Sequence, residues 1–414
     1  MIKSTIKMNI RPNQLKASSD AAAIILKYKI AYLAGEVRSG KTISALNVAK
    51  LLNYNNVLFI TKKKAIASIQ KDYEAMQYKY NLYVINYESM HLLEGIQFDF
   101  VILDEAHGLG SFPKPNNKVK HIKKHFLNLP MLLMSGTPTP ESYSQLFHQF
   151  YCSNYSPFAQ FKNFYAWAKQ FVNITHIDFG FGKVADYSKA NKEMIDNVTR
   201  HLFVYTTQQD AGFKCIVNEQ VHYVEMQPST YAIINRLKAD KVIESKSGVI
   251  LADTAVKEMM KVHQLCSGTI KFEDGSSKVF DYSKAEYIKK TFEGKIAIFY
   301  KFKAEFEALK SIYEGNLTDN LDEFYNTDKS IALQIVSGRE GVNLSAANCL
   351  VFYNIDFSAV SYFQARDRMS IASRIENNVH WIFAKGGIEN KIYNVVKNKK
   401  NFTAKYYDRT TDTN

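Results

Sequence analysis

Residues 30–52 read IAYLAGEVRSGKTISALNVAKLL. The stretch opens on four apolar residues, IAYL at 30–33, passes through GEVRSGKT from Gly35 to Thr42, and continues with apolar residues at helical spacing. Strand, glycine-bounded loop and helix in that order form the context that a phosphate-cradling loop requires. In such a loop, backbone N–H groups and the helix N-terminus face a triphosphate. Lys41 would reach the terminal phosphates and the Thr42 hydroxyl would ligate magnesium, so Gly35, Gly40, Lys41 and Thr42 are candidate nucleotide-binding residues. The plainer alternative is a glycine turn capping an ordinary helix.

Outward from this stretch, further short apolar runs recur between segments of helical periodicity: VLFI at 57–60, LYVI at 82–85, FVIL at 100–103 and MLLM at 131–134. With IAYL they read as five buried parallel strands of an α/β layer whose ligands sit at the strands' carboxyl ends. A second alternating region holds IAIFY at 296–300, IALQIV at 331–336, CLVFY at 349–353 and VHWIF at 379–383. The fold expected is α/β, with two lobes, each a mostly parallel sheet flanked by helices, and a helical insertion between them. Residues 1–150 are assigned to lobe 1, 151–220 to the insertion, 221–400 to lobe 2 and 401–414 to a basic tail. The aromatic-rich FKNFYAWAKQFV at 161–172 supports the insertion, and VHYVEM at 221–226 alternates as a strand does.

Two more motifs follow lobe 1 strands. DEAH, Asp104 to His107, follows FVIL and puts two carboxylates at the edge of the same sheet. Asp104 would hold magnesium, and Glu105 would orient the attacking water, because phosphoryl transfer is catalysed chiefly by positioning and charge neutralisation. SGTP, Ser135 to Pro138, follows MLLM, and the hydroxyls of Ser135 and Thr137 are candidates to couple the acidic loop to movement. In lobe 2, SGREGVNLS at 337–345 and QARDR at 364–368 supply arginines, which fork onto phosphate. Arg366 and Arg368 could equally pair with Asp367 or Asp356 on a solvated face.

The 414 residues carry 46% hydrophobic and 22% charged side chains, which excludes a long disordered or fibrous chain. Four cysteines, Cys152, Cys215, Cys266 and Cys349, lie far apart, so neither a zinc ribbon nor a disulfide framework is indicated. The N-terminal MIKSTIKMNI lacks the apolar core of a signal peptide, and a cytoplasmic protein is expected. Lys and Arg outnumber Asp and Glu by 53 to 40, a net +13 that favours a polyanionic partner. Basic clusters at Lys62–Lys64, 114–125 and 397–409 place part of that charge beside strand ends, favouring nucleic acid over a membrane. His121 and His125 stand four apart, but a basic surface suits them better than a metal, since no third ligand is evident. Most of the Phe, Tyr and Trp fall within apolar runs and read as core, with Tyr87 and Phe112 as loop exceptions.

In this order, the motifs resemble the superfamily 2 DEAD/DEAH-box helicases and translocases, most of all the compact, phage-like members of the Swi/Snf-type branch. The resemblance implies two RecA-like lobes that use ATP and magnesium. RPNQ at 11–14 resembles the family's adenine-reading motif, implying Arg11 and Gln14 at the base. FITKKKA at 59–65 and INYESM at 85–90 occupy positions of nucleic-acid motifs, implying Thr61, Lys62 and Tyr87 as contacts. GVNLSAANCLVFYNID at 341–356 implies Gly341 and Asn343 likewise, and GGIENKIY at 386–393 resembles the segment that closes lobe 2. In this family Gln364, Arg368 and a second arginine face the nucleotide. Ile371 stands where that second arginine is usual, which leaves Arg374 as the candidate. FSAV at 357–360 replaces a tryptophan-containing turn, and 314–329 is shorter than usual.

The function expected is an ATP-driven motor on nucleic acid, DNA before RNA and duplex before single strand, with no membrane and no loading partner identified. A strand-separating helicase and an ATP-dependent clamp with negligible turnover are the alternatives. Frequent Lys, Asn, Ile and Tyr match an AT-rich genome such as a phage's.

Overall fold

The computed structural model describes residues 9–93, 95–178, 183–212, 216–245, 247–338, 342–369 and 376–398. The chain divides into two compact units, Met1–Phe213 and Lys214–Asn414. The candidates Gly341 and Arg374, Cys215 and most of the basic C-terminal cluster lie outside the described residues.

In unit 1 the strands are β1 (Ile30–Gly35), β2 (Asn56–Thr61), β3 (Asn81–Asn86), β4 (Phe100–Leu103) and β5 (Met131–Ser135). Then come the antiparallel hairpin β6 (Thr175–Asp178) and β7 (Lys183–Asp186), and finally β8 (Phe203–Thr206). The main sheet runs β3-β2-β4-β5-β1-β8 with every pairing parallel. β1, β4 and β5 are buried along their whole length, as strands covered on both faces must be, and this is why they read as unbroken apolar runs. The covering helices are α1 (Pro12–Tyr28), α2 (Lys41–Leu51), α3 (Ile66–Ala75) and α4 (Asn117–Phe126), followed by α5 (Gln145–Tyr151), α6 (Phe164–Phe171) and α7 (Lys192–Thr199).

α1 carries no acidic residue in its first turn, but Pro12 opens it, and Gln14 Oε1 accepts the Arg11 backbone N–H at 2.9 Å. It packs on α2 through Ala17, Ala21 and Ile25, with Asn47 Nδ2 donating to Ser18 Oγ at 2.7 Å in that interface. On the opposite face of the sheet, Trp167 sits among Phe147, Phe158, Phe164 and Phe171 with ring centroids 5.3–5.5 Å away. Residues 151–220, expected as a helical insertion, supply this aromatic layer through α6. They also contain β8, which pairs with β1 as an edge of the sheet. FVYT is four residues long and partly exposed, too short for periodicity to single out.

Unit 2 begins with β9 (Ile216–Val224) and α8 (Pro228–Asp240). Two small antiparallel hairpins follow, β10 (Val242–Ser245) with β11 (Gly248–Leu251), and β12 (Thr269–Lys271) with β13 (Ser277–Val279). Between and after them lie α9 (Ala255–Leu265) and α10 (Ser283–Thr291). The alternating part holds β14 (Ala297–Tyr300), α11 (Lys303–Tyr313), β15 (Leu317–Thr318), α12 (Leu321–Asn326), β16 (Ser330–Gln334) and α13 (Ile335–Gly338). The unit ends with β17 (Leu350–Phe352), α14 (Ala359–Arg366), β18 (Glu376–Ala384) and α15 (Glu389–Lys397).

The six-stranded sheet of unit 2 runs β15-β16-β14-β17-β18-β9, again parallel throughout. The IALQIV run leaves the sheet after Gln334 and turns helical at Ile335. GGIENKIY contributes Glu389, whose carboxylate meets Lys284 Nζ at 2.6 Å with both side chains fully buried. Such a pair contributes little net stability, but leaving either charge alone costs about 3–5 kcal/mol. Among the described residues no helix is long and apolar enough to cross a membrane.

Candidate active site

Three loops leave neighbouring carboxyl ends of the unit 1 sheet, after β1, β5 and β4. The loop after β1 turns into α2 through Gly40, whose φ of 91° is open to glycine and strained for other residues. A Cβ on Gly40 would lie 2.7 Å from Arg11 Nη2 and would also strike the Gln14 amide. A Cβ on Gly35 would lie 2.6 Å from Ser39 Oγ and 2.7 Å from Lys41 Cγ. The two glycines therefore let the loop close tightly, and Arg11 and Gln14 lie against it. Gln14 is buried, and Asn13 Nδ2 donates to Ser39 O at 3.0 Å. Lys41 Nζ donates to Gly35 O at 2.6 Å and to Glu36 O at 2.9 Å, so its charge is centred in the loop. Thr42 is the second residue of α2, partly exposed at its N-terminal end.

The acidic loop leaves β4. Asp104 N–H donates to Ile60 O at 2.9 Å, and Glu105 takes a left-handed backbone at φ 49°, a strained conformation for a carboxylate side chain. Asp104 Oδ2 accepts from Thr61 Oγ1 at 2.7 Å, Asp104 Oδ1 accepts from Glu105 N at 3.0 Å, and the Asp104 carbonyl accepts from Tyr87 OH at 2.6 Å. Glu105 Oε2 lies 3.2 Å from His107 Nδ1, which in turn meets Ser135 Oγ at 2.9 Å, and Ser135 Oγ accepts from Thr137 N at 3.0 Å. The hydroxyl of Thr137 is buried without a hydrogen-bond partner among the described residues. Ser135 thus links the acidic loop to the SGTP loop. Gly136 lies against the phosphate loop, since a Cβ there would sit 3.4 Å from Gly35 O and 3.9 Å from Lys41 Nζ.

The two carboxyls are driven apart electrostatically. Burial and the neighbouring Glu105 charge raise Asp104 above the usual carboxylate range, with Thr61 and Lys41 only partly offsetting them. For Glu105, burial pulls upward, but the hydrogen bond and charge of His107, with the charges of Lys62 and Lys41, hold it below its ordinary value. A buried carboxylate disfavoured by a neighbouring like charge fits a divalent cation, which would relieve it. Among the described residues no group of three His, Cys, Asp or Glu side chains could hold a metal alone, so phosphate and water oxygens would complete its shell.

Two residues expected at nucleic acid are occupied otherwise. Thr61 is fully buried and Tyr87 nearly so, and both hydroxyls brace Asp104. A strand end was legible, but not which way each side chain turns there. Phe112 likewise is no free stacking platform: its ring packs on Phe164 with centroids 6.0 Å apart. Lys62 remains partly exposed and Lys63 and Lys64 exposed. On α4, capped by Asn116 Oδ1 accepting from Val119 N at 3.0 Å, Lys118 meets Glu88 at 2.8 Å.

Sequence reading missed the segment after β8. Glu36 N–H donates to Thr206 O at 2.9 Å, Thr206 Oγ1 donates to Ser39 Oγ at 3.0 Å, Gln208 N–H donates to Glu36 Oε2 at 2.8 Å, and Arg11 Nη1 donates to Ala211 O at 3.3 Å. These bonds span more than 160 residues of sequence, and TTQQDA carries no motif that announces them.

In unit 2, α14 carries Gln364, buried, with Oε1 lacking a hydrogen-bond partner among the described residues. Arg368 Nε donates to the Gln364 carbonyl at 3.0 Å. Arg366 meets Glu219 at 3.2 Å, and Asp356 is held by Lys301 at 2.7 Å, while the side chain of Asp367 lies outside the described residues. Asn343 Oδ1 accepts from Ser345 N at 3.1 Å.

A family model described as SNF2-related domain matches residues 35–269, more than half of the chain. Two solved structures from Sulfolobus solfataricus are similar, the SWI2/SNF2 ATPase core in complex with dsDNA and the SWI2/SNF2 ATPase core domain. The first is 17% identical with a TM-score of 0.43 over 96% of this chain and 92% of that one. For the second the values are 16%, 0.42, 96% and 90%. No curated protein matches the chain.

Proposed function

This chain belongs to the family of SNF2-related domains, nucleic-acid-dependent motor ATPases with two RecA-like lobes, and we propose that it is a translocase driven along duplex DNA by ATP hydrolysis. The observation that supports this most is the convergence of three loops in unit 1, where Lys41 acts electrostatically on both Asp104 and Glu105 while Ser135 links His107 to the SGTP loop.

In this reading Arg11 and Gln14 hold the adenine, and the backbone N–H groups from Gly35 to Thr42 cradle the phosphates. Bound with ATP, magnesium supplies neutralisation of phosphate charge, and Thr42 and Asp104 are the residues that would hold it. Glu105, kept ionised by His107, Lys62 and Lys41, orients the attacking water and accepts its proton. Loss of the γ-phosphate removes the charge that Lys41 answers, and the Glu105–His107–Ser135–Thr137 chain carries that change to the SGTP loop. Gln364 and Arg368, with Arg374 as the second arginine, are the unit 2 groups that serve ATP. Lys62, Gly341 and Asn343 grip the polymer backbone.

The test is ATP hydrolysis with duplex DNA, single-stranded DNA and RNA, beside triplex displacement and strand-separation assays. Strongest stimulation by duplex, triplex displacement and no strand separation are expected. Strand separation would establish a helicase instead, and no stimulation by any polymer would overturn the motor.

A further inference from the structure

Glu219 lies near the middle of β9 in unit 2, and its carboxylate collects donors from three other elements. Tyr362 OH approaches its two oxygens at 2.9 and 2.8 Å, and Arg366 Nη1 meets Oε1 at 3.2 Å, both from α14. Trp381 Nε1 of β18 donates to Oε2 at 2.9 Å, and Tyr393 OH of α15 donates to the same oxygen at 3.1 Å. The side chain is only 12% exposed, so these donors stand in for water. Removing the carboxylate would strand them, and a buried carboxylate with every lone pair answered fixes geometry.

The geometry at stake is that of α14. A helix of eight residues has few internal hydrogen bonds and takes its pose from what it packs on. Tyr362 and Arg366 are four apart and share one face, whereas Gln364, two residues from each, falls on the opposite face by helical spacing. Gripping the first face therefore aims the second. Gln364 is buried with its Oε1 unanswered among the described residues, and its carbonyl accepts from Arg368 Nε. We propose that Glu219 is a positioning residue, holding α14 so that Gln364 and Arg368 are set for the nucleotide. This rests on the reading of Gln364 and Arg368 as nucleotide-facing groups.

The test measures kcat and KM for ATP in wild type, Glu219→Gln, Arg368→Ala and the double variant, with the fold followed by Trp381 emission in a Trp167→Phe background. Glu219→Gln is expected to lower kcat on the order of 10- to 100-fold with KM little changed, because a displaced group near the chemistry acts on the transition state. It should also shift Trp381 emission and add nothing to Arg368→Ala in the double variant. Unchanged kcat per folded molecule with shifted emission, or full additivity, would make Glu219 purely structural and overturn the proposal. If Arg368→Ala itself leaves kcat intact, the nucleotide-facing reading fails, and this proposal with it. Should Glu219→Gln not fold, Tyr362→Phe removes one donor at nearly constant shape and is judged by the same criteria.

Discussion

Glu105 combines a left-handed backbone with a carboxyl held ionised by His107 and two lysines. Glu105→Gln keeps the shape and removes the base, so hydrolysis should fall by on the order of 100- to 10,000-fold while a fluorescent ATP analogue binds with near wild-type affinity. A second residue sets a pH dependence of stability. His148 is buried, which lowers its pKa to about 4 against 6.5 for a free imidazole, although Nδ1 donates to Ser111 O at 2.6 Å. The folded state therefore resists the proton that the unfolded state accepts. The stabilisation is complete above pH 6.5 and is lost as the pH falls toward 4. Urea unfolding at pH 7.5 and 4.5 should show a loss larger by roughly 2–3 kcal/mol in wild type than in His148→Gln. At this scale the sequence showed which residue types stood at strand ends but not their partners: Thr61 and Tyr87 looked like polymer contacts and turned out to brace Asp104. Orientation at a strand end depends on neighbours more than 15 residues away, which no local pattern encodes.

Among elements, those buried on two faces were the most legible. IAYL, FVIL and MLLM announced β1, β4 and β5 because burial on both sides demands continuous apolar sequence. β8 stayed hidden because an edge strand of four residues needs no such run, yet it supports the phosphate loop through Thr206. Glu219 was equally silent, since it precedes the alternating VHYVEM run and no motif marks it. The start of α2 was fully legible, since Gly40 must take a positive φ and admit Gln14 and Arg11. Gly40→Ala should weaken binding of the ATP analogue markedly, with a loss of stability of about 1–3 kcal/mol in urea unfolding. At the other end of the acidic loop, Asn116 caps α4 and donates Nδ2 to Gly108 O at 2.9 Å. Asn116→Ala should destabilise unit 1 by about 1 kcal/mol, read the same way.

For the whole molecule, the net +13 gains a location in the partly exposed Lys62 and the exposed Lys63 and Lys64 beside the acidic loop. If these lysines neutralise phosphates, duplex DNA affinity should fall steeply with salt, by roughly 10-fold or more between 50 and 200 mM, and Lys62→Ala should flatten the slope. The central claim is that hydrolysis at the phosphate loop depends on a nucleic-acid polymer. Its most direct test is the steady-state ATPase rate titrated with duplex DNA, in wild type and in Lys41→Ala. Saturable stimulation by DNA, abolished in Lys41→Ala, is expected. A rate indifferent to DNA, or one that survives the loss of Lys41, would contradict it.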